Sequence, residues 1–154
     1  MEITLDSTYK GPYEHVGVTE GVDGGANFSS WQRLISTGQV AEGATDHAAQ
    51  LEINAVDWRV APDGILTGTA KFISTTTFDV INATLRGTSP APPQGQKFRE
   101  ALVTVTFNGG TRGFSSATGT AKVEAKLYDD GISVGTIKGK VKVPGARVPG
   151  KAAS

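Results

Sequence analysis

Two histidines and no cysteine define the chemistry open to this chain. His15 lies in Tyr13-Glu14-His15-Val16, and His47 in Thr45-Asp46-His47-Ala48. Imidazole titrates closest to neutrality, so these two are the first general acid or base candidates. Each has a carboxylate beside it, but adjacent residues on a strand face opposite ways, so adjacency alone makes no acid–base pair. Partly exposed loop or strand-end positions are the plainer reading of both. The spacing His-x-His or His-x-x-x-His does not occur, and no metal site is expected. Asp57 and Arg59 stand two apart and share a strand face. They form either a surface ion pair or, at the mouth of a cavity, a pair that orients a carbonyl or carboxylate. Tyr13 completes the catalytic candidates, because a phenol in an apolar cavity can donate to an oxyanion. Tyr9, Trp31, Trp58 and Arg33 are candidates for substrate contact. For the tyrosines and tryptophans, packing on a rim or in a core is the plainer role. Arg33 and Arg99 are candidates for anion contact, and for both the open surface is the plainer role.

Composition narrows the classes further. Fifteen basic residues balance fifteen acidic ones among 154, which argues against phosphate-backbone or polybasic membrane binding. Without cysteine there is no disulfide framework, thiolate metal site or thiol nucleophile. No run approaches the roughly 18 apolar residues of a spanning helix. The start lacks a basic and then apolar leader pattern, so a cytoplasmic location is expected, although a processed secreted chain would read the same way. No cofactor signature is present: the glycine-rich stretches lack a following helix and Lys-Ser/Thr, and no Gly-x-Ser-x-Gly elbow occurs.

The elements that must position these groups read as strands. Twenty glycines punctuate segments rich in Thr, Val, Ile and Phe. Strands are expected over 2–9, 28–40, 49–60, 65–74, 76–87, 98–107, 119–128 and 132–143, with 13–19 a candidate for a further one. Lys10-Gly11-Pro12 reads as a turn, as do Pro62-Asp63-Gly64 and Asp129-Asp130-Gly131. The segment 28–40 also admits a short helix capped by Ser29 or Ser30. Alternation on 49–60 groups Leu51, Ile53, Ala55, Asp57 and Arg59 on one face, and Glu52, Asn54, Val56, Trp58 and Val60 on the other. Either way one face changes from apolar to polar, as in a lumen closed at one end or an outer face leaving an interface. The expectation is all-β: a single antiparallel eight-stranded β-barrel over 1–143, with a flexible tail over 144–154.

Residues 99–119 (REALVTVTFNGGTRGFSSATG) carry the most distinctive pattern. They resemble the strand–turn–strand signature of the allene oxide cyclase and dirigent barrels, and of small bacterial proteins of that type. Gly109-Gly110-Thr111, Phe114, Ala117 and Gly119 match the pattern Gly-Gly-Thr-Gly-x-Phe-x-x-Ala-x-Gly, with Arg112-Gly113 transposed. The resemblance runs from Arg99 through the last strand, and the N-terminal third shares none of it. The motif reads as structural: a glycine corner, a phenylalanine plug and small residues for close backbone approach. The resemblance implies a cofactor-free cyclase, isomerase or lyase that holds a small hydrophobic, oxygenated or aromatic substrate in the lumen. The alternative is a carrier barrel without chemistry, or a filled building block. A homo-oligomer is a further expectation; nucleic acid and membrane are not expected partners.

Overall fold

In the computed structural model of the chain, residues 2–17, 26–36 and 51–144 are described, with side chains for all of these except 15–17, 26–36 and 54–57. The strands are β1 (Glu2–Gly17), β2 (Ala26–Ser36), β3 (Leu51–Val60), β4 (Ile65–Ser74), β5 (Val80–Thr88), β6 (Phe98–Gly110), β7 (Thr118–Tyr128) and β8 (Ile132–Lys142). Among the described residues there is no α-helix; a single 3-10 turn spans Arg112–Phe114. The molecule is all-β, a curled antiparallel sheet. Each strand pairs with its neighbour in sequence, and β8 returns to β1 from Glu2↔Lys142 to Pro12↔Ile132.

Period-two alternation decides which side chains the curl encloses. On β6, Ala101, Val103, Val105 and Phe107 are buried, while Leu102, Thr106 and Asn108 are exposed. On β1, Ile3, Leu5, Ser7 and Tyr9 face inward, against exposed Glu2, Thr4, Asp6 and Lys10. Burial of each large apolar side chain contributes about 1.5–3 kcal/mol, and Leu5, Leu51, Phe72, Ile81 and Ile137 are all nearly inaccessible. At the end where β6 runs into β7, Phe114 is buried in this core beside Ala117. Thr111 ties that end to β5, with Val80 N–H donating to its Oγ1 at 2.9 Å.

Three expectations need correction. Lys10-Gly11-Pro12 is not a turn, and β1 runs through it. Pro12 has no N–H to give, and the β2 ladder skips from Lys10↔Arg33 to Tyr13↔Ser30 in unchanged register. The β8 ladder continues through Gly11↔Ser133 and Pro12↔Ile132, so one side of the strand holds where the other lapses. The strand expected from residue 76 begins instead at Val80. The Ser74 hydroxyl accepts from Thr76 N–H at 3.3 Å and Thr77 N–H at 3.2 Å, and these side-chain bonds overrule the β propensity of Thr-Thr-Thr-Phe. Phe78, expected as a buried strand residue, takes φ +61° and is 73 % exposed.

The third correction bears on the site. The β3–β4 register shifts between Asn54 and Asp57, and the β2–β3 register shifts between Phe28 and Ser30. A bulge in β3 inserts one residue and reverses the alternation beyond it. Leu51 and Ile53 before it, and Trp58 and Val60 after it, are therefore all buried. The face that was to pass from Leu-Ile to Asp-Arg does not exist as one face. The terminal segment from residue 145, including most of the expected flexible tail, lies outside the described residues.

Candidate functional site

The inward side chains do not fill the curl. A cavity of about 80 Å³ remains, bounded by all five of β4 to β8 together with Tyr9 of β1 and Ile53 and Trp58 of β3. Phe72 bounds it on the side of Phe114's end, packed edge-on to Phe107 with ring centroids 5.2 Å apart. Small residues leave the space: Ala70 on β4, and the cross-strand pair Ala101↔Ala125 between β6 and β7. The lining is almost wholly apolar. Among the described residues no carboxylate, arginine or histidine contributes to it.

The polar atoms there come from Tyr9, Ser133 and Trp58. Tyr9 on β1 pairs with Gly135 on β8, and Ser133 lies two residues away on the same inward register. The Tyr9 and Ser133 hydroxyls share a hydrogen bond. Gly135 makes room for the ring, since a Cβ there would sit 2.5 Å from the Tyr9 hydroxyl oxygen. Burial pushes the Tyr9 phenol well above its ordinary value, and the bond from Ser133 offsets only part of that. Tyr9 is therefore a neutral donor at physiological pH, not a base.

That displacement has a measurable consequence. An unfolded tyrosine loses its proton near its ordinary value of 10.0, while buried Tyr9 keeps it. Above that pH the native state holds the extra proton, so stability falls as pH rises; below it, Tyr9 is neutral in both states and adds no slope. Urea unfolding between about pH 8 and pH 11 should show stability falling at up to about 1.4 kcal/mol per pH unit beyond pH 10. Tyr9→Phe should flatten most of that fall. A slope unchanged in the variant would show that Tyr9 is not the group responsible.

The other expected site residues fall in different places. Tyr13 is half-buried, and its hydroxyl donates to the Tyr128 carbonyl at 2.5 Å. Its phenol is raised by burial, then by Asp129 and Asp130, with Arg99 opposing. Trp58 lines the cavity, as Tyr9 does. Arg59 is exposed and reaches outward to Thr67, its Nε donating to Oγ1 at 3.3 Å. His15 pairs with Phe28 across β1 and β2, Trp31 pairs with Asn54, and Arg33 pairs with Lys10 and Glu52. Asp57 pairs with Thr69. The side chains of these four, and all of His47, lie outside the described residues. Among the described residues, no group of three or more His, Asp or Glu is placed to hold a metal ion, and no helix is long and apolar enough to cross a membrane.

Ser133 and Gly135 were not among the expected site residues, although a signal existed. Both share odd parity with Ile137 and Val141, which marks them as inward on β8. Arg99, a candidate for anion contact from the sequence, has the same parity as Ala101, Val103 and Val105 on β6, which places it inward rather than on the open surface.

A curled antiparallel sheet around an apolar cavity, with one hydroxyl pair in its wall, is thus the class of molecule in hand. No family model, curated protein or solved structure matches the chain.

Proposed function

We propose that the ring of ladders closes into a single eight-stranded barrel and that its lumen binds a small hydrophobic molecule. Two observations support closure: β1 pairs with β2 on one side and with β8 on the other. The binding reading is carried by the cavity itself, apolar on nearly every side and lined by alanines where larger residues would have filled it. A well-packed core leaves few voids larger than a water molecule, and an apolar cavity stays dry and accepts apolar guests. The Tyr9–Ser133 pair would give such a guest one oriented hydrogen bond. The barrel type would be that of the allene oxide cyclases and dirigent proteins. That likeness rests on Gly109, Gly110, Phe114, Ala117 and Gly119.

Catalysis without a cofactor is the second reading, favoured by the neutral phenol of Tyr9 in an apolar wall. Such a donor stabilises negative charge developing on a substrate oxygen, and the cavity excludes water. Cyclisation, isomerisation or elimination would suit it. The candidates to move a proton are His15, His47 and Asp57.

Trp58 supplies the test of binding. Titration with toluene should change its emission saturably, measured with Trp31→Phe as background. Ala125→Leu adds three carbons where two alanines now face each other, and should weaken the interaction about 10-fold or more without lowering thermal stability. A response that never saturates, or one identical in Ala125→Leu, would remove the lumen from consideration.

A further inference from the structure

The lumen does not end in hydrocarbon at the end of the sheet opposite Phe114. Arg99 stands on the inward register of β6, two residues before Ala101 of the cavity wall, and pairs across the ladder with Leu127, also of that wall. It is half-buried. One Nη2 donates to the Ser89 carbonyl at 3.0 Å, and Ser89 is itself held by donation of its hydroxyl to the Glu100 carbonyl at 2.8 Å. The Nε is buried and has no hydrogen-bond partner among the described residues. No carboxylate among the described residues lies within ion-pair distance of the guanidinium. Half-buried cations are normally paired, because desolvating one without a partner is costly. Here the guanidinium is fixed in place by one bond with donor capacity left over.

The neighbours of Arg99 are one layer nearer the end. Tyr13, inward on β1, is near enough for the guanidinium to oppose the rise of its phenol. Tyr13 is in turn anchored by its bond to the Tyr128 carbonyl and by its N–H donating to the Gly131 carbonyl at 2.8 Å. Asp129 and Asp130 bear on Tyr13, but both are exposed on the β7–β8 turn, where water and salt screen them. Arginine presents a planar set of donors matched to a carboxylate.

We propose that Arg99 is an anion subsite at the rim of the lumen, and that the ligand is a small hydrophobic carboxylate with its carboxyl group on Arg99 and its apolar body in the cavity. This rests on the lumen-binding reading above and adds the head group to it. It also accounts for the division of the inward surface among the described residues, with mostly apolar side chains around the cavity and Arg99 beyond them.

The experiment compares 3-phenylpropanoate and hexanoate with their methyl esters on the full chain at neutral pH, by calorimetry and by the Arg99 Nε–Hε resonance. The acids should bind about 10-fold or more tightly than the esters, and the resonance should shift as they do. Arg99→Gln should erase the difference by weakening the acids to the level of the esters. If that variant fails to fold, the wild-type resonance decides alone: a bound acid that leaves it unmoved overturns the proposal. Acids and esters binding equally would overturn the subsite while leaving lumen binding intact. Neither binding would overturn both.

Discussion

Replacing Phe72 with alanine is expected to lower the unfolding free energy by about 3–5 kcal/mol, the usual cost of emptying a large aromatic site in a core. Phe72 is 1 % exposed and pairs with Ile53 on β3 and with Ile81 on β5. Both neighbouring strands are fixed by their own ladders, so the backbone cannot close over the gap. The ring of Phe107 loses its edge-on partner as well. Because Phe72 already bounds the cavity, the space vacated joins it. The variant should therefore show a lower guanidinium midpoint with an unchanged slope, together with tighter binding of guests larger than toluene. A ligand that binds only the native state returns stability as RT ln(1 + [L]/Kd), so such guests should restore part of the loss. A cost below about 1 kcal/mol would mean that the sheet collapses inward at this site, and would count against a rigid cavity.

The same residues show what the sequence disclosed and what it withheld. Alternation on β4, on β7 and on β6 as far as Phe107 was legible because nothing interrupts it there, and Ala101, Val103 and Val105 follow it strictly; the β5–β6 register shifts only beyond, between Phe107 and Gly110. Tyr9 and Trp58 were readable as wall residues. What failed were inferences from continued parity across a break. The β3 bulge reverses the face between Asn54 and Asp57, and no single residue there announces it. That reversal puts Trp58 inside with Leu51 and Ile53, and turns Arg59 outward although parity had grouped it with them. Pro12 misled in the opposite sense: a local turn signal was overruled by a ladder to β8, a partner more than a hundred positions away in the chain. The hydroxyl pair depends on the same long-range ladder, since Tyr9 and Ser133 meet only when β8 returns to β1. Local patterns fix elements, while the contents of the cavity wall depend on which strands become neighbours.

Gly119→Ala is the second substitution with a large expected effect, and it tests the corner motif rather than the cavity. Gly119 takes φ +128°, a region that side chains rarely enter, and a Cβ there would lie 2.2 Å from the carbonyl oxygen of Lys140 on β8. Both penalties act on backbone, which cannot swing aside as a side chain would. Strain and collision together should cost about 3 kcal/mol or more. Gly95→Ala separates the two: that glycine also has positive φ, +87°, but nothing lies within 4 Å of an added Cβ. Its cost should be limited to the conformational term of about 1–2 kcal/mol. The excess at Gly119, read from denaturant midpoints of the two variants, measures how closely β7 and β8 must approach. Gly119 pairs with Phe107 on β6 and with Val141 on β8, so relaxation there would disturb two ladders at once. Equal costs in the two variants would show that the close approach is slack, and that the terminal glycine of the motif serves only its own dihedral angle. A much larger cost at Gly119 would make the motif a device for drawing neighbouring strands together, which any guest-holding or catalytic version of this sheet requires equally.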